Sequence, residues 1–333
     1  MKNTLHFPCE KPPPYIRLQD EPVFSPREHL ALEKPNSVVT LADLGYDQNI
    51  IERSPSPLAI TAPFRIFSEQ GLLVMQELVA QMKANRNEAA ATGQNRLGSY
   101  IRGAGYRSQF VRDFCECAEL SEFLSTLVGT PVARHSVPAV ACGINYAPED
   151  ITRAVDTWHV DSVAFDMVIL LTSPTTFRGG EFQYFMGTKS EGEALLGGKG
   201  EVGTQSDLPA ERIATAVFPE AGCGFLQQGN LVFHRACRLL EKADRVTMIP
   251  SFVTLTTEKT DGTNVAAMSR WEDPGILTEL ARHEAWLARE HLRLLLDDLP
   301  LTATPEQIAD NVESAVGGLN RYAANLRGNT LKH

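Results

Sequence analysis

Two side chains with metal-binding atoms stand two positions apart in TWHVDSVAFDMVILLT, residues 157–172: His159 and Asp161, just ahead of a strongly apolar run. Along a strand, residues i and i+2 point to the same face, so an imidazole nitrogen and a carboxylate oxygen can meet one ion if that face lines a cavity. An H-x-D pair alone says little, because a solvated polar strand end has the same composition. A third donor is on hand in His234, which ends the apolar run GNLVF and is the only histidine between His159 and His283. Two imidazoles and one carboxylate on one side of an ion make the facial triad typical of non-haem Fe(II), with three coordination positions left open. A structural zinc site is instead closed, typically by four protein ligands. An open face is what a catalyst requires.

Eleven positions after His234 comes Arg245, with Thr247 on the same strand face, in HRACRLLEKADRVTMIPSF. A guanidinium holds a carboxylate through two parallel charge-assisted hydrogen bonds, and a hydroxyl at i+2 can add a third. The pair is a candidate anchor for an acidic cosubstrate. The alternative is a surface arginine paired with Glu241 or Asp244.

These residues need a scaffold, and the 333-residue chain has the composition of a globular protein, 43% hydrophobic and 22% charged. Residues 1–60 are proline-rich and without clear periodicity, and are expected to form an irregular arm that wraps the core. Amphipathic spacing predicts a helix from Ser68 through SEQGLLVMQELVAQMKANR and a second over SQFVRDFCECAELSEFLSTLVG, stopped by Gly129. Between about 131 and 256, short β-branched and aromatic runs separated by Gly and Pro predict a closed or double-sheet β-architecture such as a jelly roll. Pro250 places that part of its strand at an edge or a bulge. Residues 195–209 read as an insertion between strands. After about 270 the pattern is helical again, with Thr304 as N-cap and Pro305 in the first turn. The expected division is an arm over 1–60, a β-core with support helices over 61–265 and a helical extension over 266–333. That extension should pack on the core or on a partner subunit, a homodimer being one arrangement.

Charge and cysteine content narrow the function classes. A net charge of −10 and a pI near 5.4 argue against a nucleic-acid binder, which needs a basic surface. A small-molecule partner fits better. No apolar segment approaches the roughly 20 residues that cross a bilayer, and the first residues lack a signal peptide's apolar stretch, so no membrane partner and a cytoplasmic location are expected. Six cysteines are too sparse for a disulfide scaffold and are expected as reduced, mostly buried thiols.

Taken together, His159-x-Asp161, then His234, ten residues and Arg245-x-Thr247 resemble the pattern of the Fe(II)/2-oxoglutarate-dependent oxygenases: H-x-D, a distal H, and R-x-S or R-x-T. INYAPED looks like the strand that in many members supplies a tyrosine near the cosubstrate, here Tyr146, and RGGEFQYF resembles their GGE-type strand. The resemblance covers roughly residues 60–256. It implies a double-stranded β-helix, a jelly-roll and cupin relative, flanked here by N- and C-terminal helices. Fe(II) would sit in the triad, and 2-oxoglutarate would chelate it through its 1-carboxylate and keto oxygen. Arg245 and Thr247 would bind the far carboxylate, O2 would take the remaining position, and succinate and CO2 would leave. Halogenating relatives carry Gly or Ala where Asp161 stands, so Asp161 argues for hydroxylation, desaturation or oxidative cyclisation. The expected substrate is a small molecule such as an amino acid or a natural-product intermediate.

Further candidates surround this set. Trp158 and Phe165 flank the ligands and are candidate pocket residues, although aromatics beside a buried strand also serve as core. Arg102 and Arg107, with Tyr100 and Tyr106 in GSYIRGAGYRSQ, are candidates for fixing a substrate carboxylate. Only one of Gln183 and Tyr184 can face the metal. His135 reads as a structural histidine, His283 and His291 as solvated on an exposed helix. Two rival readings stay open: a cupin-type metal isomerase or lyase without 2-oxoglutarate, and a non-catalytic jelly-roll ligand-binding protein.

Overall fold

The short β-branched runs become thirteen strands among the residues described in the computed structural model, which are 17–85, 99–197 and 208–328. In chain order they are β1 (Val38–Thr40), β2 (Leu58–Thr61), β3 (Phe64–Arg65), β4 (Tyr100–Ile101), β5 (Val132–Arg134), β6 (Cys142–Tyr146), β7 (Asp156–His159), β8 (Phe165–Leu170), β9 (Phe182–Phe185), β10 (Ile213–Ala216), β11 (Cys223–Gln228), β12 (His234–Ala236) and β13 (Val246–Thr254). Nine form one sheet in the order β1-β2-β11-β8-β13-β6-β4, with β3 also on β11 and β5 also on β13; the other four form a second, β10-β9-β12-β7. Every pairing is antiparallel. The two sheets face each other across a cavity of about 340 Å³, lined from β7, β9 and β12 on one side and β4, β6, β8 and β13 on the other.

Strand alternation decides which side chains reach this cavity. On β13, Thr247, Ile249 and Ser251 line it, while Met248 and Phe252 enter the core behind the large sheet. On β8, Asp166 and Val168 face inward and Phe165, Met167 and Ile169 face the core. That core is closed from outside by three helices, Glu69–Ala84, Gln109–Cys115 and Ala118–Val128, which contribute Met75, Leu78, Phe110, Phe114, Leu120 and Leu124. Each such fully buried apolar side chain stabilises the fold by about 1.5–3 kcal/mol.

Several sequence expectations change in the structure. The single helix expected over 108–129 breaks at Glu116 and Cys117, where Glu116 pairs with Arg134 on β5 at 3.0 Å. Pro250 lies in an interior strand: β13 pairs with β8 on one side, and on the other its partner passes from β6, which begins opposite Pro250 at Cys142, to β5, which ends opposite Phe252 at Arg134. The missing N–H therefore falls at a handover between neighbours. The arm over 1–60 is regular in part, since β1 extends the large sheet and Leu41 and Leu44 are fully buried; residues 1–16 lie outside the described residues. Most of the 195–209 insertion, residues 198–207, also lies outside them. The described cysteines are free thiols, four of them buried. No helix among the described residues is long and apolar enough to cross a membrane.

The C-terminal extension forms an antiparallel pair of helices, Ile276–Asp298 and Pro305–Arg327, the second opened by a Thr304–Gln307 capping box. Ile276, Leu280 and Tyr322 pack on Val137, Val140 and Met268. His283 and His291 are not solvated as expected. His283 falls on the same stripe as Ile276 and Leu280 and is fully buried, bonded to Asp261 at 2.8 Å and to Ser136, while His291 donates to the Thr257 carbonyl at 2.8 Å.

His135 stacks on His283 and bonds Thr263 at 3.0 Å, and its Nδ1 accepts from the Val137 N–H at 3.1 Å. Burial, aided by His283, holds its pKa down at about 3. Below the unfolded value near 6.5, the unfolded chain takes up a proton that the folded His135 refuses. Stability is therefore lost as pH falls from 6.5 towards 3, by about 1.4 kcal/mol per unit. His135→Gln is expected to flatten this slope in denaturant titrations at pH 7 and pH 5; an unchanged slope would assign it to other groups.

Candidate metal centre

β7 and β12 lie side by side with His159 directly opposite His234, so the two imidazoles share a face with ring centroids 4.1 Å apart. Asp161 follows the end of β7, its backbone N–H bonded to the Gly229 carbonyl at 2.8 Å. This places Asp161 Oδ1 3.4 Å from His159 Nε2 and Asp161 Oδ2 3.3 Å from His234 Nε2. One ligand atom from each of the three side chains lies within 4.8 Å of the others. They fit the H-x-D and distal H of the pattern that the sequence resembles.

Each histidine is oriented by its own strand. His159 Nδ1 bonds the Thr157 carbonyl at 2.6 Å and His234 Nδ1 the Val232 carbonyl at 2.9 Å, both two residues back. A carbonyl accepts only, so Nδ1 carries the proton in both rings and the Nε2 lone pairs point at the shared space. Burial and the neighbouring His159 hold the His234 pKa down at about 4, so His234 is neutral at physiological pH. A neutral Nε2 donor is the state a divalent ion requires of a histidine ligand. The donor set fits Fe(II).

Arg245 immediately precedes β13, the strand that lines the opposite wall. It is 2% exposed, its Nε donates to the Gly180 carbonyl at 2.9 Å, and among the described residues no carboxylate forms an ion pair with it. Burial lowers its pKa to about 10, which leaves it charged at neutral pH. A buried cation without a counter-ion costs several kcal/mol, and Arg245 and Thr247 both face the cavity that holds the triad. The Gly-Gly pair before β9 makes room for it: Gly180 has φ +70, and a Cβ there would lie 2.8 Å from Arg245 Cδ.

Other sequence candidates separate by strand parity. Tyr146 points away from the cavity, its hydroxyl donating to the Val79 carbonyl at 2.7 Å inside the helix-covered core; the next residue back, Asn145, faces inward with Tyr100. Phe165 is core for the same reason. Trp158 packs with Phe185, Leu208 and Phe233 beneath Arg235, outside the cavity, and Arg107 is buried on the helix Ala104–Arg107, away from it. Arg102 does line the cavity, lying 4.0 Å from the Trp271 ring and paired with Asp273 at 2.9 Å. Gln183 turns outward to Arg235, while Tyr184 turns inward and packs with the Phe182 and Phe225 cluster.

The sequence reading missed Asp156, Asp166 and the wall supplied by the C-terminal segment. Asp156 and His159 on β7 face two residues of β12, His234 and Ala236, that are only two positions apart; this bulge turns Asp156 inward, with Oδ2 3.4 Å from His159 Nε2. Asp166 is fully buried, and burial with the nearby Asp161 pushes its carboxyl well above the usual carboxylate range. Ala267, Met268 and Trp271 complete the wall from beyond the last strand. Asp166 carries no alternation signal in the sequence, because every residue of β8 is buried.

No protein-family model matches the sequence, and no curated protein matches it. Among solved structures, the alpha ketoglutarate dependent epimerase SnoN from nogalamycin biosynthesis is similar with a TM-score of 0.41 and 12% identity, over 64% of this chain and 81% of its own. The carbocyclase SnoK from the same biosynthesis gives 0.41 and 13%, over 65% and 87%. HygX from Streptomyces hygroscopicus gives 0.43 and 11%, over 62% and 86%. Likeness of this depth leaves the chemistry to be read from the chain's own residues.

Proposed function

We propose that this chain is an Fe(II)/2-oxoglutarate-dependent dioxygenase, built on a double-stranded β-helix, that oxidises a C–H bond of a small molecule by hydroxylation, desaturation or oxidative cyclisation. The observation that carries this reading is a buried guanidinium facing the same cavity as a His/Asp/His group, at a position where a metal-chelated dicarboxylate would neutralise it. A cupin-type isomerase or a passive binding protein has no need of that cation.

His159, Asp161 and His234 would hold the iron, which when bound supplies the activation of O2 coupled to oxidative decarboxylation of 2-oxoglutarate. The protein's own part is placement. Arg245 and Thr247 bind and orient the far carboxylate of the cosubstrate. Phe182, stacked on His234 at 5.0 Å, covers the imidazole face and limits water there. Val140, Val163, Met268 and Trp271 form the apolar part of the remaining wall, where Arg102 supplies a cation for a substrate carboxylate. Its guanidinium is kept in plane by Trp271 and Asp273.

Anaerobic addition of Fe(II) and 2-oxoglutarate tests this directly. The expected result is a weak visible charge-transfer band that requires both additions. Metal-dependent activity without that band and without succinate would favour the isomerase or lyase, and failure to bind Fe(II) the passive binding protein.

A further inference from the structure

Behind the candidate metal centre runs a row of polar side chains across three strands of the large sheet: Ser251 on β13 opposite Asp166 on β8, and Asp166 opposite Gln227 on β11. Polar groups at this depth need a reason, since each costs free energy unless bonded. Gln227 is 0% exposed and Asp166 1%. The Gln227 amide spends its Nε2 on two carboxyl groups at once, Asp161 Oδ2 at 3.2 Å and Asp166 Oδ2 at 3.0 Å, while its Oε1 lies buried without a hydrogen-bond partner among the described residues. The amide is therefore oriented for its donor side, because turning it over would set Oε1 against two carboxyl oxygens. On the far side, a Cβ at position 229 would lie 2.6 Å from Asp161 Oδ2 and also clash with Asp166 Oδ1, so only glycine lets the backbone approach this closely.

By distance from the imidazoles, the two oxygens of Asp161 are equivalent: Oδ1 is 3.4 Å from His159 Nε2 and Oδ2 is 3.3 Å from His234 Nε2. The hydrogen bond from Gln227 distinguishes them. We propose that Gln227, backed by Asp166, is a positioning residue that occupies Asp161 Oδ2 and leaves Oδ1 to bind the ion, so that the carboxylate takes one coordination position and not two. The inference rests on the metal reading above and adds to it a reason why three positions stay open. Without the Gln227 donor, Oδ2 loses the hydrogen bond that distinguishes it from Oδ1, and the carboxylate can take a second coordination position. The side chain that sets the coordination number is then one that never touches the ion.

Co(II) titration of the full chain, followed by visible absorption, tests the assignment without any turnover. Gln227→Met keeps the volume and removes the donor. It is expected to bind Co(II) about 10- to 100-fold more weakly, the range for groups behind metal ligands, and to change the d–d bands. Asp166→Leu is expected to follow it and gives the same comparison if Gln227→Met does not fold. Asp166→Asn, whose amide oxygen can still accept from Gln227, is expected to keep native affinity and bands. Native affinity and an unchanged spectrum in Gln227→Met or Asp166→Leu overturn the proposal. A native chain that takes up no Co(II) is a different failure, and removes the metal centre itself.

Discussion

Arg245→Met is expected to weaken 2-oxoglutarate binding on the order of 100- to 1,000-fold while Fe(II) remains bound. Removing one partner of a buried, hydrogen-bonded charge pair costs about 2–5 kcal/mol, and each 1.4 kcal/mol is tenfold. Arg245 is set for the upper part of that range, because its environment is dry and among the described residues no ion pair competes for the guanidinium. Folding should suffer little. The wild-type protein without cosubstrate already bears an uncompensated buried charge, and replacing such a group by an apolar one of similar volume is often neutral. Cosubstrate titration of the anaerobic Fe(II) protein reads the first effect and thermal unfolding the second. A dissociation constant within about threefold of wild type would remove Arg245 from the cosubstrate site, whatever became of the metal.

His159→Ala and His234→Ala are each expected to lower metal affinity by more than about 100-fold, beyond the 10- to 100-fold typical of groups behind the ligands, and to abolish metal-dependent succinate formation. Each ring is held by a carbonyl on Nδ1 and offers a single Nε2 donor, which alanine removes outright. Asp156, 3.4 Å from His159 Nε2, is the closest substitute and stands outside the group of mutually adjacent ligand atoms. Calorimetric titration with Co(II), with succinate production measured in parallel, checks both. Full turnover in either variant would dissolve the centre.

Much of the site was legible in residue order. His159 and Asp161 at i and i+2, His234 closing an apolar run and Arg245-x-Thr247 opening another are local patterns, and local patterns survive folding because a strand's alternation is fixed by its own backbone. The β-texture of 131–256 and the helices after 270 follow from the same periodicities. Parity in the fully buried strands was not legible. In β6 and β8 every residue is buried, so alternation does not mark the inside, and the candidates Tyr146 and Phe165 turn to the core while their neighbours Asn145 and Asp166 face the cavity. His283 was misjudged differently: its place on the inner stripe was visible, and its burial depended on Asp261 and Ser136 being there to bond it.

What the sequence by itself determined is the identity of the candidate donors and of the proposed anchor, since their chemistry resides in side chains and their spacing in a strand's repeat. The tertiary structure alone decided how they meet. The register of β7 on β12, with the bulge that turns Asp156 inward, depends on hydrogen bonds between strands about 75 residues apart in sequence. The Gln227–Asp166 support behind Asp161 and the closing wall from Met268 and Trp271 are likewise contacts between distant segments, and no local periodicity encodes which distant segment a side chain will touch.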